Sequence, residues 1–373
     1  MTGYYHADDC DIDEFDQIIS QRLSKADVPN ASRIEKNIPI YDMAQLGDQL
    51  DALKPEWAQV FLRSAGVLVL EDAYPDTSPI DAASDAFNAI IAEERARGGK
   101  ADHFAATGAN DRVWNTLQKL CLQDPATHVR YFGNPVIAAV CEAWLGPNYQ
   151  MTAQLNVVRP GGAAQQAHRD YHLGFMEAES CASYPAHVHE LSASLTLQGG
   201  IAHCDMPVDS GPTKLLPFSQ TYAPGYAAWR RDDFRTLFEE SCVQLPLKKG
   251  DALFFNPALF HAAGANQSAD VQRMVNLLQV SSSFGRAMEN IDRRAMVLAA
   301  FEPLKSLDAA ARAAAIAATV EGYAFPTNLD TDPPEGGLAP PSQADILRRA
   351  LDEDWDTAQL MQALDAQAAR QSP

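Results

Sequence analysis

Within the stretch Gln165-Gln166-Ala167-His168-Arg169-Asp170-Tyr171-His172, an imidazole and a carboxylate stand one residue apart. On an extended strand, residues i and i+2 project to the same side, so His168 and Asp170 can converge on one ion. Two ligands do not close a site, and the candidate third is His261 in Asn256-Pro257-Ala258-Leu259-Phe260-His261. Two histidines and one carboxylate that leave coordination positions open form the arrangement used by non-haem Fe(II) oxygenases. Arg273 follows twelve residues after His261, across the loop Gly264-Ala-Asn-Gln-Ser268. If the flanking segments pair antiparallel, that loop folds Arg273 back toward His261. An arginine pointing into a protein interior is costly unless it meets an anion, and its fork suits a carboxylate. The same residues also admit plainer readings. A His-x-Asp pair can be a surface turn in which Asp170 meets Arg169 or His172. His261, flanked by Leu259, Phe260, Ala262 and Ala263, also fits a hydrogen-bonded core histidine.

The elements that would position these groups change character along the chain. Ile38 to Tyr41 reads as a short strand, Pro55 to Ser64 as a helix, and Val67 to Leu70 as a buried strand. Ser84 to Arg97 and Arg112 to Leu122 have helical spacing, with a loop from Ala101 to Asn110 between them. Asn134 to Leu145 carries the clearest helix signals: Asn134 as N-cap, Pro135 in the first turn and Gly146 just past the end. From Tyr149 the period shifts from 3.6 to 2. Met151–Val157, Leu191–Gln198 and Arg273–Ser281 each alternate a polar with an apolar face. Such strands fit a half-solvated sheet, and equally a small barrel whose polar interior holds a ligand. Beyond about residue 287 the composition returns to helix, with an Ala-rich segment from Leu307 to Val320. Ser342-Gln-Ala-Asp345 is a capping box for a last helix. The plan is α+β: an N-terminal extension (1–50), a domain built on a β core (51–286), and a C-terminal helical extension (287–373) packed on it.

Composition narrows the partners. The chain has 373 residues, 46% of them hydrophobic and 21% charged, as expected of a globular protein. A net charge of −20 opposes binding to phosphate backbones, so nucleic acid is not the expected partner. No apolar run approaches the roughly 20 residues that a membrane span needs. The acidic start Met-Thr-Gly-Tyr-Tyr-His-Ala-Asp-Asp does not read as a signal peptide. Six scattered cysteines without a Cys-x-x-Cys pair argue for a reducing, cytoplasmic setting.

Taken in order, four segments resemble the phytanoyl-CoA dioxygenase-like family. They are the His-x-Asp after Arg159-Pro-Gly-Gly162, Gly211-Pro-Thr-Lys-Leu-Leu-Pro-Phe-Ser-Gln220, Lys249-Gly-Asp-Ala-Leu-Phe-Phe255, and His261 with Arg273. The resemblance covers about Ala65 to Phe284 and implies a double-stranded β-helix (jelly-roll, cupin-like) core buttressed by N- and C-terminal helices. It implies Fe(II) held by His168, Asp170 and His261, and 2-oxoglutarate as cosubstrate with O2. Arg273 would take the cosubstrate's distal carboxylate, with Gln154 and either Ser194 or Thr196 beside it. Related halogenases carry Ala or Gly where Asp170 stands, so the resemblance favours hydroxylation of a small molecule over halogenation. Two departures stand out. The family's Pro-Gly-Ser-His turn reads Pro217-Phe-Ser-Gln220 here, and His187-Val-His189 has no counterpart. His-x-His pairs bind metals in cupins, which leaves a cupin-like metalloenzyme without 2-oxoglutarate, or a barrel that only binds ligands, as alternatives. Tyr171, His172 and Phe175 on one loop, and Trp229 and Arg230 in the aromatic segment Ser219–Ser241, are the candidate substrate contacts. The latter segment also reads as an ordinary amphipathic surface helix.

Overall fold

The period-2 segments pair with one another, and the chain between them is spent on covering one face of the resulting sheet. The computed structural model describes residues 3–97 and 110–372. Among these residues, ten strands form: Arg33–Glu35 (β1), Ile38–Asp42 (β2), Val67–Glu71 (β3), Asn110–Val113 (β4), Gln150–Val158 (β5), Thr196–Ala202 (β6), Lys214–Leu215 (β7), Ala252–Phe255 (β8), His261–Ala262 (β9) and Arg273–Ser281 (β10). Eight make one sheet in the order β1-β2-β3-β8-β6-β10-β5-β4, antiparallel throughout except at β2–β3. β7 and β9 form a second, smaller sheet, extended by isolated bridges from His168 to His261 and from Leu215 to Val243. A large sheet and a small one enclosing a common interior is the jelly-roll plan, here in an α+β protein.

Register decides which face does what. In β10, Leu278 and Val280 point outward and are fully buried, as are Ala153 and Leu155 of β5 and Leu197 and Ile201 of β6. These residues share one continuous apolar core with the helices Thr116–Gln123, Pro125–Phe132, Pro135–Leu145 and Arg293–Leu304. The opposite face carries Gln154 and Asn156 of β5, Gln198 and Gly200 of β6, and Arg273, Val275, Leu277 and Gln279 of β10. The sheet is therefore not half-solvated: its polar face is turned inward onto a cavity. At Gly200 an added Cβ would stand 2.9 Å from Val275 Cγ2, so the missing side chain keeps this interior open.

Several boundaries differ from expectation. The alternation in Leu191–Gln198 predicts a strand, but Ala186–Ser194 is a helix, entered after Pro185, and the strand begins only at Thr196. Four alternating residues satisfy a helix turn as readily as a strand, and the Pro185 start signal prevails. Arg112 likewise lies on strand β4, paired with Asn156, and the helix starts at Thr116 after Asn115 adopts φ 55°. Of the expected loop Ala101–Asn110, all but Asn110 lies outside the described residues. The Ser342 capping box is present as expected, and a further helix, Thr357–Gln371, follows its helix.

The helix Pro135–Leu145 packs against this core and begins as its sequence predicts. Asn134 accepts hydrogen bonds from the Val136 and Ile137 N–H groups, and its own amide donates to the Ala73 carbonyl at 2.8 Å. Asn134→Ala removes both the cap and that buried tie, and should lower the unfolding free energy by about 1–2 kcal/mol in urea titration. An unchanged midpoint would mean that this cap does not anchor the core.

Candidate metal centre and cavity

Each of the three ligand candidates is placed by backbone pairing. His168 and His261 form an antiparallel bridge. The His168 N–H donates to the His261 carbonyl at 3.0 Å, and the His261 N–H returns the bond at 3.1 Å. Two residues on, the Asp170 N–H donates to the Pro257 carbonyl at 3.0 Å. The bridge brings the two imidazoles side by side, with ring centroids 4.4 Å apart and planes tilted by 55°. Asp170 Oδ1 lies 3.6 Å from His168 Nε2, and Oδ2 lies 3.5 Å from His261 Nε2. All three ligand atoms fall within 4.8 Å of one another, the one such cluster among the described residues.

The tautomers follow from the partners. His168 Nδ1 contacts the Gln166 carbonyl at 2.8 Å and His261 Nδ1 contacts the Leu259 carbonyl at 2.9 Å. A carbonyl can only accept, so in neutral rings both Nδ1 atoms carry the proton and both Nε2 atoms present lone pairs. Lone pairs on two imidazoles then face a carboxylate, an arrangement that repels itself unless a cation stands among them. The donor set thus fits a divalent metal of the kind that accepts mixed imidazole and carboxylate ligation. Carbonyl-anchored Nδ1–H groups are also the usual outer support of metal-bound histidines.

Charge is arranged to match. Burial alone would raise the Asp170 carboxyl, but the positive charge that the neighbouring His168 and His261 rings carry when protonated, with the Gln198 amide 2.5 Å from Oδ2, outweighs it and holds it well below the usual carboxylate range. Burial pushes the His168 imidazole toward its neutral form. Arg273 is 4% exposed, and burial lowers its guanidinium to about 10. Its Nη1 donates to the Ser210 and Gly264 carbonyls at 3.2 and 3.3 Å, and no carboxylate of the described residues pairs with it. It lines the same cavity as the triad, a space of about 630 Å³ with a mainly apolar wall. A buried cation at the edge of a cavity suits an anionic ligand.

The residue between the two ligands serves another purpose. Arg169 points away from the triad into a buried pocket, where its Nη2 donates to the Ser219 and Tyr222 carbonyls at 2.6 and 2.9 Å. Its guanidinium lies over the rings of Tyr226 and Phe260, 5.1 and 5.2 Å from their centroids. Gly225 and Gly174 leave room for it: a Cβ on either would strike the guanidinium or the Arg169 carbonyl. Asp170 therefore meets neither Arg169 nor His172, and the surface-turn reading of this stretch fails. Directly after Asp170, Tyr171 and His172 both take left-handed φ, 64° and 41°, so the chain turns sharply away from the triad.

The other candidates separate clearly. Gln154 lines the cavity and accepts from Arg112 Nη1 at 3.2 Å, while its amide donates to Met288 Sδ at 3.4 Å. Phe175 and Trp229 also line the cavity. Ser194 does not: it is an exposed helix residue whose hydroxyl donates to the Glu190 carbonyl. Thr196 is fully buried at the start of β6 and lies off the cavity wall. The residue of that strand that reaches the triad is Gln198, which the misplaced strand start hid. Tyr171 is buried with its hydroxyl donating to Gln279 Oε1 at 2.7 Å, and His172 Nδ1 meets Ser192 Oγ at 3.2 Å. Neither lines the cavity. Arg230 instead secures the loop beneath Phe175, donating to the Gly174 and Met176 carbonyls and stacking on Trp229 with 4.0 Å to the ring centroid. His187 and His189 lie on a helix, where i and i+2 diverge; His189 is buried against Tyr5 and His187 is exposed. They form no metal cluster among the described residues. The turn Pro217-Phe-Ser-Gln220 is kept, with Phe218 at φ 70° and Gln220 donating to the Ser64 carbonyl.

Comparison with known proteins agrees with the sequence resemblance. Residues 62–275 match the profile of the phytanoyl-CoA dioxygenase (PhyH) family. Dioxygenase andF of Emericella variicolor is 25% identical over 161 residues, 41% of this chain and 50% of that protein. Dioxygenase aneA of Aspergillus aculeatus is 26% identical over 183 residues, 47% and 55% respectively. The chain thus spans about half the length of these relatives. Among solved structures, the non-haem α-ketoglutarate-dependent epimerase SnoN of nogalamycin biosynthesis aligns over 62% of this chain and 82% of its own, at 19% identity and a TM-score of 0.45. EctD from S. alaskensis, solved with 2-oxoglutarate and 5-hydroxyectoine, covers 62% and 76% at 18% identity and a TM-score of 0.45. With the family profile matching more than half of its length, the chain belongs to the phytanoyl-CoA dioxygenase family, whose cofactors are Fe(II) and 2-oxoglutarate.

Proposed function

We propose that this chain is a non-haem iron, 2-oxoglutarate-dependent oxygenase that hydroxylates, or otherwise oxidises, an unactivated C–H of a small molecule, yielding succinate and CO2 from the cosubstrate. The observation that carries the reading is the convergence of His168 Nε2, His261 Nε2 and the Asp170 carboxylate within 4.8 Å, beside a buried arginine that has no carboxylate partner among the described residues. His168, Asp170 and His261 would hold the iron, and Arg273 the distal carboxylate of 2-oxoglutarate, with Gln154 beside it. When bound, the metal supplies O2 activation coupled to decarboxylation of the cosubstrate.

The chain's own contribution is geometry and exclusion. The Gln166 and Leu259 carbonyls keep both Nε2 lone pairs aimed at one point, so little reorganisation accompanies metal binding. Asp170 supplies the anionic ligand and fills the position that halogenases leave open for chloride, which favours hydroxylation. The apolar wall, with Phe175 and Trp229, keeps water from the reacting centre and contacts the substrate. A space of about 630 Å³ suits a small molecule rather than a polymer. The segments 1–50 and 287–373 act as buttresses to the oxygenase domain, and the second also places Met288 on the cavity wall.

Anaerobic titration with Fe(II) and 2-oxoglutarate should develop a weak visible charge-transfer band. The band should be absent in Asp170→Ala and His261→Ala proteins whose circular dichroism is unchanged. A folded wild-type protein that shows no band would refute the oxygenase reading. Arg273→Ala should weaken 2-oxoglutarate binding roughly 10- to 100-fold, the value of a lost charged hydrogen bond, and leave iron content unchanged. Loss of iron with cosubstrate affinity intact would take Arg273 out of that role.

A further inference from the structure

Among the polar cavity residues that the iron and cosubstrate roles leave unassigned, two face each other across a strand pair. Gln198 on β6 and Gln279 on β10 are register partners and sit side by side on the cavity wall. They are 4% and 7% exposed. The Gln198 amide is not free to take either orientation. As a carboxylate, Asp170 only accepts, so the end of Gln198 that lies 2.5 Å from Oδ2 is its NH2 group. That fixes Oε1 on the other side of the same carbon, beside the ligand carboxylate, where it is buried and has no hydrogen-bond partner. At Gln279 the polarity is reversed. The Tyr171 hydroxyl donates to its Oε1 at 2.7 Å, which turns its NH2 away from Tyr171. Neighbouring strands thus hold an unsatisfied acceptor and an amide donor side by side on the cavity wall. Buried polar groups are normally paired, and an unpaired one on a cavity wall is an offer to a ligand.

We propose that Gln198 is a two-ended residue: its nitrogen positions Asp170, and its oxygen, together with the Gln279 nitrogen, reads a paired donor and acceptor on the substrate. The substrate class is then a mainly apolar small molecule carrying a lactam, a secondary amide or a hydroxy-carbonyl unit. The N–H or O–H meets Gln198 Oε1 and the carbonyl meets Gln279 Nε2. Because the nitrogen of the same amide bonds the ligand carboxylate, this unit is held next to the reacting C–H. The inference rests on the iron assignment made above.

The test uses the full chain under anaerobic conditions, with Fe(II), 2-oxoglutarate and two probes, δ-valerolactam and its N-methyl derivative, followed by calorimetry. Wild type should bind the lactam about tenfold more tightly than the N-methyl compound, which keeps the acceptor and lacks the donor. Gln198→Met should abolish that preference and weaken Fe(II) binding roughly 10- to 100-fold, as loss of an outer support of a metal ligand does. Gln279→Met should weaken the lactam while Fe(II) affinity stays within twofold of wild type. Equal binding of the two probes to wild type, or binding of neither, overturns the recognition half. Unchanged Fe(II) affinity in folded Gln198→Met overturns the positioning half. If Gln198→Met does not fold, Gln198→Asn, which keeps an amide but shortens its reach, carries the same readouts. Failure of wild type to bind Fe(II) at all would instead refute the iron assignment, which separates the two readings.

Discussion

Three groups that can only accept a hydrogen bond or a metal are held against one another here, and much of the molecule exists to keep them so. Two imidazole nitrogens with lone pairs and one carboxylate would move apart if they were free to do so. They are not free, because His168 and His261 exchange both backbone hydrogen bonds across a bridge and Asp170 is tied to Pro257 two residues on. The carbonyls of Gln166 and Leu259 then fix which nitrogen of each ring carries the proton. A backbone that enforces an unfavourable set of neighbours stores binding capacity for the ion that relieves it.

The same economy governs the two buried guanidinium groups. Arg169 is satisfied inside the protein by carbonyls and aromatic faces, which makes it a fastener. Arg273 has two longer carbonyl contacts and opens onto the cavity, which suits it to an anion there. Burial weakens both to a similar degree, so the difference in role comes from geometry and not from acidity.

Much of the site was legible in the sequence because its information is local. The i, i+2 spacing of His168 and Asp170, and the run from His261 to Arg273, each need only one strand and one loop to be correct. The alternating face of β10 identified Arg273, Val275, Leu277 and Gln279 as one row, and all four line the cavity. The Asn134 and Ser342 caps were legible for the same reason. Gln198 was missed because an alternating stretch after Pro185 folds as a helix through Ser194, which moved attention to Ser194 and Thr196. The fate of Arg169 was not legible either. Its partners, Ser219, Tyr222 and Phe260, lie fifty or more residues away, and nothing in the local pattern announces them.

Arg169 also links the metal centre to a part of the chain far outside the family match. The carbonyl it holds belongs to Tyr222, whose ring packs on Phe15 of the helix Ile12–Ile19, and the same Phe15 packs on Phe260, the residue before His261. The N-terminal helix thus backs the candidate metal site, touching Phe260 directly and Arg169 by way of Tyr222. An oxygenase core trimmed to the matched region would keep every candidate ligand and lose the surface that backs Phe260 and Tyr222.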